Sequence, residues 1–176
     1  MPTVEQVRGN LPKAFKDKFP DRYAIIDATE VFIETLQNQS STWSNYKHHN
    51  TAKLLVCYIP NIPNGTICFL SPLYIGSVSD VSLTQVSEFI EALQGKSGVA
   101  IMADCGFTIK NLLSPLGIKL NIPPFMEGWA KLPLAEVTVG RKIAPLRIHV
   151  ERAIKNFAIL KGTLPLSMSR IFNEIA

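Results

Sequence analysis

The stretch that decides the fold is "GVAIMAD" at residues 98–104, an apolar run that stops at an aspartate. It is too short and too apolar for a solvent-facing helix, and the pattern is typical of a buried β-strand. "YAIIDATE" at residues 23–30 has the same form, because its apolar run ends at Asp27. Desolvating a carboxylate is costly. The two aspartates are therefore either turn residues that end their strands or members of a site.

The segments between these two strands predict a hairpin and a helix. "TAKLLVCYIP" (51–60) and "GTICFLSPLYIG" (65–76) are rich in β-forming residues, with Asn64-Gly65 at the turn that joins them. In "SDVSLTQVSEFIEALQG" (79–95), apolar residues recur at three- and four-residue steps and Gly95 stands just past the last of them. This spacing predicts one amphipathic helix with a stop signal.

The remaining segments complete an alternating order of elements. The polar segment at 35–50 is predicted to be a loop, and the proline-rich segment at 117–140 a long connection. After Gly140 the apolar spacing becomes helical again, with Leu146, Val150 and Phe157 on one face. The order is strand, strand, strand, helix, strand, long loop, helix, which predicts an α/β domain with a crossover helix.

This order explains how distant carboxylates would meet. If the strands that end at Asp27 and Asp104 are parallel neighbours, their carboxylates lie at the same edge of the sheet. Two such anions repel unless a cation lies between them, and Mg²⁺ takes a few carboxylates while keeping water or phosphate ligands. Glu151 is the only acidic residue of the late helix and is the candidate third ligand. Its spacing from Arg147 and Lys155 equally fits a surface ion-pair ladder.

Composition sets the class of protein. The net charge is +4, and the excess is concentrated in residues 131–176, which carry eight basic and three acidic side chains. A solvated basic helix face or a phosphate-contacting surface would both produce this pattern. Three cysteines without a CxxC spacing argue against a disulfide framework or a zinc site. The absence of a long apolar run or a secretory signal predicts a soluble intracellular protein.

The motifs "IIDATEVFIE", "YKHHNT", "IMADCGF" and "RIHVERAI" together resemble the DDE-type endonuclease domain of Harbinger-like transposases. The resemblance covers residues 23–168 and implies a ribonuclease-H-like mixed sheet with flanking helices. It divides the chain into a lead-in segment (1–22), the endonuclease-like domain (23–168) and a tail (169–176). In that family, acidic residues hold two divalent metal ions, Mg²⁺ or Mn²⁺, which support hydrolysis or transfer of DNA phosphodiesters.

Carried over residue by residue, the resemblance assigns roles to four acidic side chains. Asp27, Asp104 and Glu151 match the family's catalytic, metal-binding triad, and Asp80 in "VSD" matches a further metal-associated position. We expect DNA as the partner and the nucleus as the location, with the cytoplasm as the alternative. The residues predicted to contact DNA are Lys47, His48, Arg141, Lys142, Arg147, Arg152 and Lys155.

Three departures from the family pattern bear on activity. Cys105 stands where relatives usually carry a basic residue, Pro145 replaces a small polar residue, and "ERAIKNF" is about one helical turn shorter than the usual string. The family's upstream DNA-binding region also has no counterpart in this sequence, so a separate DNA-binding protein is an expected partner. The rival hypothesis is a catalytically impaired domesticated or truncated copy that acts as a DNA-binding or partner-binding module.

Overall fold

The computed structural model describes residues 1–17, 20–34, 43–44, 47–60, 65–122 and 162–165. Within them the elements in chain order are α1 (Val4–Asn10), α2 (Lys13–Lys16), β1 (Arg22–Ile33), β2 (Trp43–Ser44), β3 (His49–Ile59), β4 (Thr66–Leu70), β5 (Tyr74–Ile75), α3 (Asp80–Val86), α4 (Phe89–Ala92), β6 (Ala100–Met102), α5 (Lys110–Leu113), β7 (Lys119–Asn121) and β8 (Thr163–Leu164). The predicted helix after Gly140, the connection beyond residue 122 and the tail lie outside the described residues, apart from β8.

The strands form one mixed sheet in the order β2-β3-β1-β6-β7, with β4 and β5 also paired to β3 and β8 paired to β1. β1 pairs antiparallel with β3, whereas β6 pairs parallel with β1 on one side and with β7 on the other. α3 and α4 provide the crossover between the hairpin strands and β6. The sheet and its flanking helices confirm the predicted α/β, ribonuclease-H-like architecture.

β1 is longer than its apolar run predicts, which corrects the expectation that the strand ends at Asp27. It continues to Ile33 because its second half pairs with β3 as far as Phe32↔Thr51, and its last residues pair with β8. Long-range hydrogen bonds therefore extend the strand beyond the point at which its hydrophobicity falls. Asp27 lies in the middle of β1 and not at its end.

The helix predicted over residues 79–95 is two short helices, which is a second correction. Glu88 adopts a left-handed conformation with φ 59° and separates α3 from α4. Val86, which the three- and four-residue spacing predicts on the apolar face, is the last residue of α3 and is 39% exposed. Gly95 has the positive φ expected of a helix stop. Leu83 of α3, Phe89 of α4 and Leu93, which caps α4, are buried at the positions that the apolar spacing predicts.

The predicted loop at 35–50 contains a short strand. Trp43 and Ser44 form β2, which pairs antiparallel with the first two residues of β3. His48 lies in the turn between β2 and β3, where its φ is 51°. His49 is the first residue of β3. The predicted β3–β4 hairpin is confirmed by its antiparallel pairing.

The sheet has two apolar faces of different size. On the helix face, Ala24, Ile26, Leu55 and Cys57 pack in a cluster with buried residues of α1, α3, α4 and α5. On the second face, a smaller described cluster is formed by Val31, Ile33, Ala52, Leu54, Val56 and Leu164. The alternation of side chains along β1 and β3 assigns each residue to one face or the other.

The lead-in segment contributes to the helix face. Val7 of α1 and Leu11 are buried in its cluster, and the Tyr23 hydroxyl donates a hydrogen bond to the carbonyl of Pro2. A capping box between Thr3 and Gln6 starts α1. The domain boundary at residue 22 stays a prediction. None of the helices among the described residues has both the length and the apolar character that a membrane span requires.

Candidate active site

The parallel pairing of β1 with β6 confirms the predicted strand arrangement and gives Asp27 and Asp104 corresponding positions in the two neighbouring segments. The last pair in the register is Ile25↔Met102, and each aspartate stands two residues beyond its member of that pair. In adjacent parallel strands, residues in register lie about 5 Å apart across the sheet, with their side chains on the same face. Asp27 is opposite Val56 of β3, a member of the second-face cluster. Met102 and Ile25 lie on the second face, and Asp27 and Asp104, each two residues further on, occupy positions of that same face.

Both aspartates are partly buried and orient their carboxylates through local backbone bonds. Oδ1 of Asp27 accepts a hydrogen bond from the N–H of Ala28 at 3.0 Å, and Oδ1 of Asp104 accepts one from Cys105 at 2.7 Å. The carbonyl of Asp104 also accepts a hydrogen bond from the N–H of Phe107 at 3.1 Å. This turn explains why β6 ends just before Asp104, because the backbone leaves the sheet there.

Asp80 belongs to a different environment from the other two aspartates. It is the first residue of α3, and its Oδ1 lies 3.3 Å from Nζ of Lys53. Lys53 is opposite Glu30 in the β1–β3 register, and the two lie two residues from Leu55 and Ala28 of the helix-face cluster, so they share its face. Asp80 therefore lies on the helix face, whereas Asp27 and Asp104 occupy positions of the second face. A metal role for Asp80 stays a prediction.

Lys53 is the centre of a polar network on the helix face. Its side chain is 13% exposed and its Nζ donates to the carbonyl of Val78 at 2.9 Å, in addition to its contacts with Asp80 and with Oε1 of Glu30 at 3.8 Å. The other carboxylate oxygen of Glu30 accepts a hydrogen bond from the Thr51 hydroxyl at 3.0 Å. Two carboxylates thus share one buried ammonium group, which offsets the cost of burying all three charges.

Asp80 also touches the turn that carries Asp104. A Cβ atom added to Gly106 would lie 2.7 Å from Oδ2 of Asp80, closer than real Cβ contacts allow. The absence of a side chain at Gly106 therefore leaves room for the Asp80 carboxylate, which would have to move to accommodate a Cβ atom. The Lys53 network and the turn after β6 are in direct contact through this position.

A buried arginine lies on the second face at the other end of β1. Arg22 has no exposed surface, and one of its terminal nitrogens, Nη1, lies 3.6 Å from Sδ of Met102. Burial lowers the pKa of Arg22 to about 9, against the opposing effect of Asp21, so the guanidinium remains charged at neutral pH. The guanidinium therefore lies against the side chain of the last residue of β6.

Two of the predicted DNA contacts are among the described residues. Lys47 and His48 are exposed in the turn before β3, at the carboxyl end of β1. Phe32, near that end, is five residues beyond Asp27, on the order of 16 Å along a strand. Arg141, Lys142, Arg147, Arg152 and Lys155 lie outside the described residues.

The predicted third ligand, Glu151, also lies outside the described residues. Within the part of the chain that the structure describes, no group of three or more His, Cys, Asp or Glu side chains is placed to hold a metal ion. The carboxylates of Asp27 and Asp104 are nevertheless the hard oxygen donors that Mg²⁺ and Mn²⁺ prefer. Two such donors on one face fit a divalent ion that takes its remaining ligands elsewhere.

Sequence reasoning missed the Lys53 network. The signal was present in "TAKLLVCYI" and "DATEVFI", where Lys53 and Glu30 each interrupt an apolar strand on the face that packs against helices. A charged residue at such a position predicts a buried ion pair, because an isolated buried charge is prohibitive. The role of Gly106 had no comparable signal, since it depends on where α3 begins.

One of three comparisons with known proteins identifies a family for this chain. A family model described as DDE superfamily endonuclease matches residues 26–176, which include Asp27, Asp104 and Glu151. Searches of curated proteins and of solved structures returned no match. The matched region spans most of the chain and begins within β1. The chain is therefore a member of the DDE superfamily endonucleases.

Proposed function

We propose that the protein is a divalent-metal-dependent DNA endonuclease of transposase origin, with Asp27, Asp104 and Glu151 as its catalytic carboxylates. The observation that carries the proposal is the parallel β1–β6 register, which supports two carboxylates at corresponding positions of one face in a chain of this family. DNA is the substrate that membership of the family implies. The finer assignment to Harbinger-like transposases rests on the "YKHHNT" and "RIHVERAI" motifs.

The residues of the chain would contribute binding, orientation and charge. Asp27 and Asp104 would hold the metal ions with Glu151, and the backbone N–H groups of Ala28 and Cys105 would orient the two aspartates. When bound, two metal ions activate a water molecule or a 3′-hydroxyl and stabilise the leaving oxygen of the phosphodiester. Lys47, His48 and the basic residues of 141–155 would hold the DNA backbone without reading its sequence.

The experiment is a plasmid-nicking assay with Mg²⁺ or Mn²⁺, comparing the native protein with Asp104→Asn. We expect nicking by the native protein and a loss on the order of a hundred- to ten-thousand-fold in the variant, because a metal contributes several kcal/mol of transition-state stabilisation. Asp21→Asn is the matched control. Asp21 is an aspartate just before β1 that pairs with Lys119 at 3.5 Å, so its loss should leave nicking unchanged.

Equal nicking by the native protein and Asp104→Asn would contradict the proposal, as would DNA binding without nicking by either protein. In the second case, the protein would act as a DNA-binding module. A nuclear location is part of the proposal, and a fluorescent fusion that stayed out of the nucleus would contradict it. A separate DNA-binding partner would be recognised by nicking that gains sequence preference when that protein is added.

A further inference from the structure

Lys53 and Asp80 form an ion pair that the candidate active site does not use directly. The Nζ of Lys53 contacts Oδ1 of Asp80 at 3.3 Å and the carbonyl of Val78 at 2.9 Å, so it binds both the first residue of α3 and the segment before it. The two side chains are 13% and 26% exposed, which protects the pair from much of the screening that weakens surface ion pairs. β3 is thereby attached to the start of α3.

The same aspartate makes contact with the turn beyond β6. Its Oδ1 faces Lys53, and its Oδ2 lies against Gly106, where an added Cβ would be only 2.7 Å away. Gly106 is two residues after Asp104, and the next residue, Phe107, donates its N–H to the Asp104 carbonyl at 3.1 Å. A continuous set of contacts therefore leads from Lys53 through Asp80 to the backbone of Asp104.

We infer that Lys53 and Asp80 are a positioning pair that holds the Asp104 turn in place, and that Asp80 acts through this turn and not as a metal ligand. The inference rests on the proposed function, because Asp104 matters only if it is catalytic. A cation at Oδ1 would have to approach an ammonium group already 3.3 Å away, which electrostatic repulsion opposes. The contact with Gly106 gives Asp80 a structural use that requires its present position.

The first measurement is amide hydrogen exchange of the native protein without metal or DNA. In Lys53→Met and in Asp80→Asn, we expect exchange of the Phe107 amide to accelerate about tenfold more than that of Ala100, because local opening of the turn requires no global unfolding. The Ala100 amide is the reference, since it is bonded to Asp21 at the opposite end of β6. Lys53→Arg keeps the charge and should retain most of the protection.

Lys119→Met is the matched control for the loss of an ammonium group from an ion pair. Lys119 contacts Asp21 at 3.5 Å on the surface, away from the turn, so its loss should leave Phe107 exchange unchanged. Equal acceleration at Phe107 and Ala100 in Lys53→Met would mean a general loss of stability and would overturn the inference. So would unchanged exchange at both amides.

The second measurement separates positioning from metal binding in the nicking assay. A positioning pair predicts that Asp80→Asn and Lys53→Met each lower the maximal rate about 10- to 100-fold at an unchanged half-saturating Mg²⁺ concentration. The double variant should be no slower than the slower single variant, because the two residues act as one unit. A half-saturating concentration raised tenfold in Asp80→Asn alone would make Asp80 a ligand and overturn the inference. If the native protein nicks no DNA, the proposed function fails while the exchange result still decides whether the pair holds the turn.

Discussion

The two faces of the sheet treat their carboxylates in opposite ways. On the helix face, Glu30 and Asp80 share the ammonium group of Lys53, so the protein itself balances their charge. On the second face, Asp27 of β1 and Asp104, two residues beyond the end of β6, occupy corresponding positions in the parallel register. Two carboxylates that lie close together repel, and a divalent cation relieves the repulsion. The comparison contrasts acidic groups that share a lysine with acidic groups that the strand register assigns to the opposite face.

Two adjacent leucines of β3, one on each face, allow the packing of the two faces to be compared by mutation. Leu55 is fully buried in the helix-face cluster, and Leu54 is buried in the smaller cluster of the second face. We expect Leu55→Ala to lower the free energy of unfolding by about 3–5 kcal/mol and Leu54→Ala by about 2–3 kcal/mol, because the cost rises with the cavity left behind. Urea unfolding of both variants measures the difference. A larger loss in Leu54→Ala would reverse the proposed ranking of the two faces.

The difference between the carboxylates of the two faces can be tested by removing one carboxylate from the second face. If the carboxylates of Asp27 and Asp104 lie about 5 Å apart, Asp27→Asn should raise the free energy of unfolding in metal-free buffer by about 1–3 kcal/mol, since like charges at that separation repel by that order at an effective dielectric of about 20. Added Mn²⁺ should raise the thermal midpoint of the native protein and leave that of Asp27→Asn nearly unchanged.

Thermal unfolding with and without Mn²⁺ provides the measurement, and Asp21→Asn is again the control. A variant that is less stable than the native protein in metal-free buffer would show that Asp27 supports the fold. The distinction between the carboxylates of the two faces would then be lost.

The smallest expected effect concerns two buried tyrosines, one on each face. Burial raises the pKa of Tyr23, on the helix face, and of Tyr58, opposite Ile25 in β1. Below about pH 10, both the folded and the unfolded states keep the hydroxyl neutral. As the pH rises beyond that value, the unfolded tyrosine loses its proton first, so stability falls.

Tyr23→Phe should therefore flatten the alkaline loss of stability more than Tyr58→Phe does, because the pKa of Tyr23 is raised further. At neutral pH it should cost about 1 kcal/mol, through the lost hydrogen bond to the Pro2 carbonyl. Urea unfolding at pH 7 and at pH 10.5 tests both expectations. An identical alkaline slope in the native protein and in Tyr23→Phe would exclude Tyr23 as a cause.

The strands and the crossover that lead to the candidate site could be predicted from the sequence, because they depend on local patterns. The apolar runs before Asp27 and Asp104 predict buried strands, and a helix between them permits the parallel crossover that the structure contains. The buried positions Leu83, Phe89 and Leu93 follow from helical spacing alone. These features require only hydrophobic periodicity and the chirality of connections.

Other features were wrong or missed because they depend on contacts between distant segments. The length of β1 is set by its pairing with β3 and β8, which extends the strand six residues beyond Asp27, to Ile33. The break at Glu88 is a left-handed residue that no propensity predicts for glutamate. The ion pair between Lys53 and Asp80 could be predicted only by knowing which face of β3 packs against the start of α3.

The sequence by itself determined the class of fold, the two strands that carry Asp27 and Asp104, and the resemblance to a family of endonucleases. Hydrophobic alternation and strand propensity are local properties, so they can be read without coordinates. Only the tertiary structure decided that Glu30 and Asp80 share the ammonium group of Lys53. Side chains 27 residues apart, such as Lys53 and Asp80, meet through the packing of a helix on a sheet, and electrostatic energy depends on that distance in space.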